Sequence, residues 1–247
     1  MTNAVLLSAG QGRRLSPLTD DRPKCTIQIG DKALVEWQIR ALLANGIEDI
    51  SIVTGFRADM IKQVLDDANL PINIRYIYNP FYSVADNIGS CWMARDHLGS
   101  DSLLINGDTL IDPRIIARVL ERAPVGEGAP INVTMDRKGD YDSDDMKVRL
   151  NGNQLTDIGK TLTAPIDGES IGMLRFRDEG GAMFVNTLED ILSDVTALKL
   201  WYLSIIDRIA KTGKVGFVDI DGLPWAEVDF PQDLDVAAAQ VASFQFP

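Results

Sequence analysis

The chain has 247 residues, 45% of them hydrophobic and 24% charged, with a formal net charge of −12 at pH 7. These proportions belong to ordinary soluble globular proteins, the length suits one large domain or two small ones, and the acidic balance argues against nucleic acid as a partner, because a phosphate backbone selects basic surfaces. No apolar run approaches the roughly 18 residues a membrane span needs, the start of the chain lacks the pattern of a secretory signal, and Cys25 and Cys91 form neither a disulfide framework nor a metal-type spacing. The expectation is a reducing, cytoplasmic protein with neither membrane nor nucleic acid as partner. An anionic ligand of such a protein needs a local basic island, with a divalent cation helping.

Along the first half, strand-like and helix-like runs alternate. Strands are predicted at Ala4–Ser8, Asp49–Thr54, Ile72–Tyr78 and Ser102–Asn106, and helices at Leu34–Asn45, Ala58–Ala68 and Ile88–His97. Leu34, Trp37, Ile39, Leu42 and Leu43 share one helical face, and Asn45-Gly46 is a stop signal. Such alternation predicts an α/β fold with a doubly wound, mostly parallel, Rossmann-like sheet flanked by helices. A helix is also expected over Asp112–Glu121, followed by a Pro/Gly-rich surface connection at Arg122–Pro130. Short β-type runs come next, at Ile131–Met135, Met146–Leu150, Gln154–Ile158 and Ser170–Phe176, with Asn151-Gly152 as a hairpin turn. Helices at Gly180–Ser193 and Leu198–Thr212, a strand at Val215–Ile220 and a helix at Pro231–Val241 complete the chain. We read one domain, residues 1–247, with a small β-rich subregion at about 131–176.

Chemistry concentrates at two strand ends. The first strand runs into Ala9-Gly10-Gln11-Gly12-Arg13-Arg14-Leu15, and Pro23-Lys24 closes the stretch. Bare amides beside cations make a polyphosphate receptor. Tight-turn punctuation and solvated surface cations are the bland alternatives. A dinucleotide fingerprint would need a third glycine at position 15, where Leu15 stands. Asp108 follows the strand that ends in Asn106-Gly107; it is either a helix cap or a ligand, and Asp112-Pro113 is the better cap. Asp229, ahead of the Pro231 helix, carries the same ambiguity. Two such aspartates suit Mg²⁺, which takes one or two carboxylates plus phosphates and water. The single His97 reads as a helix C-terminal residue, and Cys91 as core packing.

The stretch Ala9-Gly10-x-Gly12-x-Arg14-Leu15-x-Pro17-Leu18-Thr19 with Pro23-Lys24 resembles the signature of the sugar-1-phosphate nucleotidyltransferases. Leu104-Ile105-Asn106-Gly107-Asp108 and Trp225-Ala226-Glu227-Val228-Asp229 resemble that family's two metal-binding motifs. Asn79-Pro80-Phe81-Tyr82, Asn87-Ile88-Gly89-Ser90, Asp144-Asp145-Met146-Lys147-Val148, Ile158-Gly159-Lys160 and Gly168-Glu169-Ser170 resemble its phosphocholine cytidylyltransferase-like branch. The resemblance implies Arg14 and Lys24 on the triphosphate, with Arg13 at a variable position. It implies Mg²⁺ on Asp108 and Asp229, and Leu7, Ala9, Gly10, Gly12, Asn87 and Ser90 around the nucleotide. For the acceptor it implies Lys147, Lys160, Asp144, Glu169 and Trp201.

Asp140, Asp142, Asp144 and Asp145 surround Tyr141, either as a solvated turn or as a receptor for a cationic head group, with cation–π help from Trp201, Trp225 or Tyr141. The branch's phosphocholine enzymes carry a Trp in this loop; here residues 93–200 contain none. The acceptor therefore stays open among amino-alcohol phosphates, phosphonates, polyol phosphates and sugar phosphates. The expected reaction is Mg²⁺-dependent cytidylyl transfer from CTP to a small phosphorylated or phosphonate acceptor, with release of pyrophosphate. The alternatives are a sugar-1-phosphate uridylyl- or thymidylyltransferase and a non-catalytic nucleotide-sensing module. The pattern leaves a homodimer open.

Overall fold

A computed structural model describes residues 1–123 and 126–246. The strands are β1 (Asn3–Ser8), β2 (Gln28–Ile29), β3 (Lys32–Ala33), β4 (Asp49–Thr54), β5 (Arg75–Tyr78), β6 (Asp101–Asn106), β7 (Thr109–Ile111), β8 (Ile131–Asp136), β9 (Lys147–Asn151), β10 (Gln154–Gly159), β11 (Gly168–Arg177), β12 (Val215–Asp219) and β13 (Trp225–Glu227). The helices are α1 (Leu34–Leu43), α2 (Ala58–Asp67), α3 (Asn87–Ala94), α4 (Pro113–Arg122), α5 (Gly180–Leu192), α6 (Leu203–Ala210) and α7 (Asp233–Val241).

The centre of the main sheet is parallel. β1 lies between β4 and β6, with Val5 opposite Ser51 on one side and Leu104 on the other, and β5 adds beyond β4. Ala4, Val5 and Leu6 have no exposed surface, as a central strand covered on both faces requires. Alternation along the strands sorts the core into two layers. Val5, Leu7, Val53, Leu104, Leu174 and Phe176 face α3, α5 and α6. Ala4, Leu6, Ile50, Ile52, Ile105 and Met173 face α1, α2 and α4. A third, smaller core gathers Leu15, Ile27, Leu34, Trp37, Leu110, Val228 and Ala237, joining the glycine turn to the C-terminal elements.

The β-rich subregion continues this sheet. β11 pairs antiparallel with β6 over Met173–Arg177 and with β9 at Gly168 and Glu169, while β8 runs along its other side. The register shifts between Ser170 and Leu174, where Gly172 has φ +77 and a Cβ would meet Asn106 Nδ2 at 2.7 Å. This bulge bends β11 from the central sheet toward β9 and β10.

Most expected elements sit within two residues of their predicted bounds. Three differ more. The strand expected from Ile72 begins at Arg75. The helix expected over Leu198–Thr212 is a short 3-10 turn, Val195–Lys199, followed by α6. The helix expected to His97 stops at Ala94, with Arg95–His97 in a tighter turn. The ribbons β2–β3 and β7–β13, two or three residues per strand, are too short to show periodicity. Of the connection expected at Arg122–Pro130, residues 124 and 125 lie outside the described residues.

Candidate active site

β1 and β6 both end at the same edge of the sheet, where parallel α/β sheets hold their ligands. A cleft of about 500 Å³ opens there. Its walls include Leu7, Ala9, Gly10, Gly12, Arg13, Arg14, Lys24, Asn87, Ser90, Asp108, Asp144, Lys160, Glu169, Trp201 and Asp229. Of the nucleotide, metal and acceptor residues that the resemblance implies, Lys147 is the one missing from these walls. Its side chain is buried and its Nζ donates to the Lys160 carbonyl at 2.7 Å. Lys147 thus ties its strand to the Lys160 backbone, beside the end of the cleft where Lys160 stands. Trp225 and Tyr141 also lie off the walls, and the Trp225 indole donates to Asp136 Oδ2 at 2.9 Å.

The glycine loop is closed on itself. Thr19 Oγ1 donates to the Gly12 carbonyl at 2.7 Å, and Gln11 Nε2 to the Thr19 carbonyl at 3.2 Å. Gly12 has φ +79, and a Cβ there would meet Lys24 Cβ at 2.6 Å. The missing side chain is the space in which Lys24 packs.

Asp108 and Asp229 are brought together by the β7–β13 ribbon. Thr109 pairs with Glu227, and the Val228 N–H donates to the Asp108 carbonyl at 3.0 Å. Neither aspartate caps a helix. Asp112 Oδ1 accepts the Arg114 N–H and so caps α4. Asp233 Oδ2 accepts the Asp229 and Phe230 N–H groups at 2.8 and 2.7 Å, which fixes the turn that carries Asp229.

Between the two carboxylates stands Lys24, its Nζ 2.8 Å from Asp108 Oδ2 and 2.6 Å from Asp229 Oδ1. Burial alone would lower the Lys24 pKa, but the two carboxylates outweigh it and raise the pKa above the usual lysine value. Burial would raise the Asp229 carboxyl; Lys24 and Arg14 together hold it below the usual aspartate value. Arg14 Nη1 reaches Asp229 Oδ2 at 2.9 Å, and its guanidinium lies 5.4 Å from the Phe230 ring centre. Asp108 Oδ1 is buried and without a hydrogen-bond partner among the described residues.

Glu227 is a wall residue to which the sequence analysis gave no role, though Glu-x-Asp at a strand end puts both side chains on one side. Its side chain keeps accessible surface through the cleft mouth while protein encloses it elsewhere. That enclosure, then the charges of Asp108 and Asp229, push its carboxyl up to about 8. Ser8, Asp86 and Asn106 also line the cleft without having been singled out. Side chains that act through position in the fold leave no spacing signal in a single sequence.

At the far end Lys160 Nζ lies 3.2 Å from Asp144 Oδ1 and 4.7 Å from the Trp201 ring centre. Behind it, Lys138 Nζ bridges Asp145 at 2.8 Å and Glu169 at 2.9 Å. Burial first, and a hydrogen bond to Asp145 second, push the Glu169 carboxyl up to about 7. The acidic loop is a folded turn, with Asp142 Oδ1 accepting the Asp144 and Asp145 N–H groups at 2.7 and 3.1 Å.

A cation-bearing glycine loop thus faces paired aspartates at the carboxyl edge of a parallel sheet, an arrangement chemically suited to phosphates. Residues 3–142 match the nucleotidyl transferase family model, and the chain belongs to that family. It is 26% identical to a CTP:phosphoglutamine cytidylyltransferase of Campylobacter jejuni over 95% of this chain and 98% of that one. It is also 26% identical to a CMP-5'-(3-aminopropyl)phosphonate synthase of Streptomyces rubellomurinus, over 93% of this chain but only 37% of that longer protein. The structure of the CTP:phosphocholine cytidylyltransferase of Streptococcus pneumoniae superposes with a TM-score of 0.77 at 20% identity, covering 97% and 99% of the two chains. That likeness fixes the shared fold, a helix-flanked and centrally parallel sheet.

Proposed function

We propose that this chain, as one domain over residues 1–247, transfers a cytidylyl group from CTP to a small acceptor bearing a phosphate or phosphonate and a cationic group, with Mg²⁺. The observation that carries the reading is the Lys24 ammonium held between Asp108 and Asp229 beside the glycine loop. Two carboxylates and a lysine held mostly out of water at the cleft wall cost more to desolvate than apolar residues of the same size, so the cluster is a weak stabiliser and favours a ligand role.

The two aspartates fit a divalent cation. Their oxygens already converge on one positive centre, and Asp108 Oδ1 is an unpaired buried acceptor. Two carboxylates plus phosphate oxygens and water are a set Mg²⁺ accepts. Asp108 and Asp229 would hold it, and it would supply charge neutralisation at the reacting phosphate. The described residues hold no preformed group of three or more His, Cys, Asp or Glu side chains arranged for a metal, so the triphosphate would complete the set.

Arg14 can grip two phosphate oxygens at once, and Lys24 acts as a point charge. Both would hold the triphosphate and neutralise the charge that builds on the leaving group. An acceptor oxygen attacks the α-phosphorus, the α–β anhydride bond breaks, and pyrophosphate departs with the bonding pair. The acceptor is already anionic, so no protein nucleophile is needed; alignment and electrostatics supply the rate.

Two cleft side chains suit cytosine. Asn87 Oδ1 accepts the Tyr202 N–H, which leaves the Asn87 amide hydrogens to donate. Ser90 Oγ accepts from Asn79 Nδ2, which leaves its hydroxyl hydrogen to donate. Cytosine presents adjacent acceptors at O2 and N3, whereas uracil presents a donor at N3. Trp201, Asp144 and Asp86 at the other end favour an ammonium-bearing acceptor, and Lys160 its phosphate. The related cytidylyltransferases named above support the same choice.

A pyrophosphate-release screen over four nucleoside triphosphates and a panel of phosphate and phosphonate acceptors tests this. Turnover is expected with CTP and an amino-bearing acceptor; activity confined to UTP or dTTP with a hexose 1-phosphate overturns the base and acceptor assignment. Asp108→Ala is expected to lower kcat by about 10²–10³-fold or more, the range seen when one preorganised electrostatic group is lost. A variant that still binds nucleotide with full turnover removes Asp108 from the chemistry.

A further inference from the structure

Gln38 lies in the middle of α1 with no exposed surface. Its Nε2 donates to two backbone carbonyls, Asn106 at 2.7 Å and Thr109 at 2.8 Å. These carbonyls flank Gly107 and Asp108, so one amide spans the turn that presents Asp108 to the cleft. Its Oε1 is buried and has no partner among the described residues. A buried amide with an unpaired oxygen is costly, and the reverse orientation would face that oxygen at two carbonyls. An aliphatic residue would fill the helix core without either penalty. The position therefore serves the turn more than the core.

The rest of the turn is held one point at a time: the Val228 N–H donates to the Asp108 carbonyl at 3.0 Å, and Thr109 pairs with Glu227. The Gly107 N–H donates to the Leu7 carbonyl at 3.0 Å, and Thr109 Oγ1 to the Ile171 carbonyl at 3.0 Å. Among the described residues, Gln38 alone donates to carbonyls on both sides of Asp108.

We infer that Gln38 is a positioning residue, a clamp that sets the spacing of the Asp108 turn and thereby the affinity of the site for its divalent cation and the rate of transfer. This rests on the role of Asp108 given above. Residues behind the groups that hold a metal typically alter affinity or activity by about 10–100-fold when changed.

The test compares Gln38→Met, which keeps side-chain length without donors, with Gln38→Asn, which keeps an amide too short to reach and leaves room for a water. The second variant serves if the first does not fold. Asn45→Leu is the control, because Asn45, just past the C-terminal end of the same helix, also donates to two carbonyls, Ala41 and Pro113, both at 2.9 Å and away from the cleft. We expect both Gln38 variants to lower kcat and raise the half-saturating Mg²⁺ concentration, each by about 10–100-fold, with KM for CTP held. Mn²⁺ titration of the CTP-loaded protein, followed by electron paramagnetic resonance, should show the same loss of affinity without turnover. Asn45→Leu should lower only the melting temperature. If the folded Gln38 variants keep the metal affinity and kcat of the unaltered protein, or change only in melting temperature as Asn45→Leu does, the clamp is wrong. If Asp108→Ala itself retains turnover, the failure lies in the reading of the site and not in Gln38 alone.

Discussion

At the scale of single residues, the site works through a few close approaches. Lys24 fits because Gly12 has no side chain, so Gly12→Ala must both strain a left-handed backbone and displace the lysine. Strain of this kind costs about 1–3 kcal/mol, and the expected outcome is a lower melting temperature together with a raised KM for CTP. A variant that loses stability while KM holds would separate the loop's fold from its ligand role. Glu169 offers a second residue-scale test. Burial, then its hydrogen bond to Asp145, push its carboxyl in the folded chain up to about 7 from 4.5 as a free side chain. Between those values the folded state holds a proton that the unfolded state has lost, so stability falls as pH rises through that window. Glu169→Gln should flatten the decline of the melting temperature from about pH 5 to 7, as this linkage requires. A variant that keeps the full slope assigns it to other groups.

At the scale of elements, legibility in the sequence tracked length and local signal. β1, α1, β4, β6 and α4 were readable because each carries several apolar positions at a single period or a defined cap, such as Asp112-Pro113. The stop at Ala94 and the break before α6 were not; at the latter the Leu198 carbonyl accepts the Asp86 N–H and the Tyr202 N–H donates to Asn87 Oδ1, bonds to a distant segment that no local pattern carries. The ribbon β7–β13 was invisible for a different reason. Three residues per strand carry no period, yet this ribbon places Asp229 beside Asp108. The motif residues of the cleft were legible through their resemblance to a known signature, whose glycines, cations and carboxylates here stand at strand ends. The hydrogen bond from Lys147 to the Lys160 carbonyl was not legible, because spacing places a residue near a site without telling which partner its side chain meets. Gln38 was passed over as one polar residue among the apolar positions of a helix.

At the scale of the whole molecule, the third core couples regions far apart in sequence. Leu15 from the glycine loop, Trp37 from α1, Val228 from the Asp229 segment and Ala237 from α7 share one cluster. Phe244 and Phe246 close it over Trp37, at centroid distances of 6.2 and 6.0 Å. Leu15→Ala should cost about 2–5 kcal/mol, as large-to-small changes in packed cores do. Because the same cluster seats the glycine loop, we expect a weakened affinity for CTP even at temperatures where the variant remains folded. Calorimetric binding at 10 °C checks this, and unaltered affinity would mean that the loop holds its shape without the core.

The glycines of the cleft differ in what forbids a larger residue. At Gly107 a methyl group would strike the Leu7 carbonyl at 2.5 Å, whereas at Gly10 it would meet nothing within 4 Å. A saturation library sorted for soluble expression should therefore return glycine alone at position 107 and a broad spread at position 10. The same library sorted for catalysis should narrow position 10 again, and the gap between the two selections would trace where the nucleotide lies against the chain.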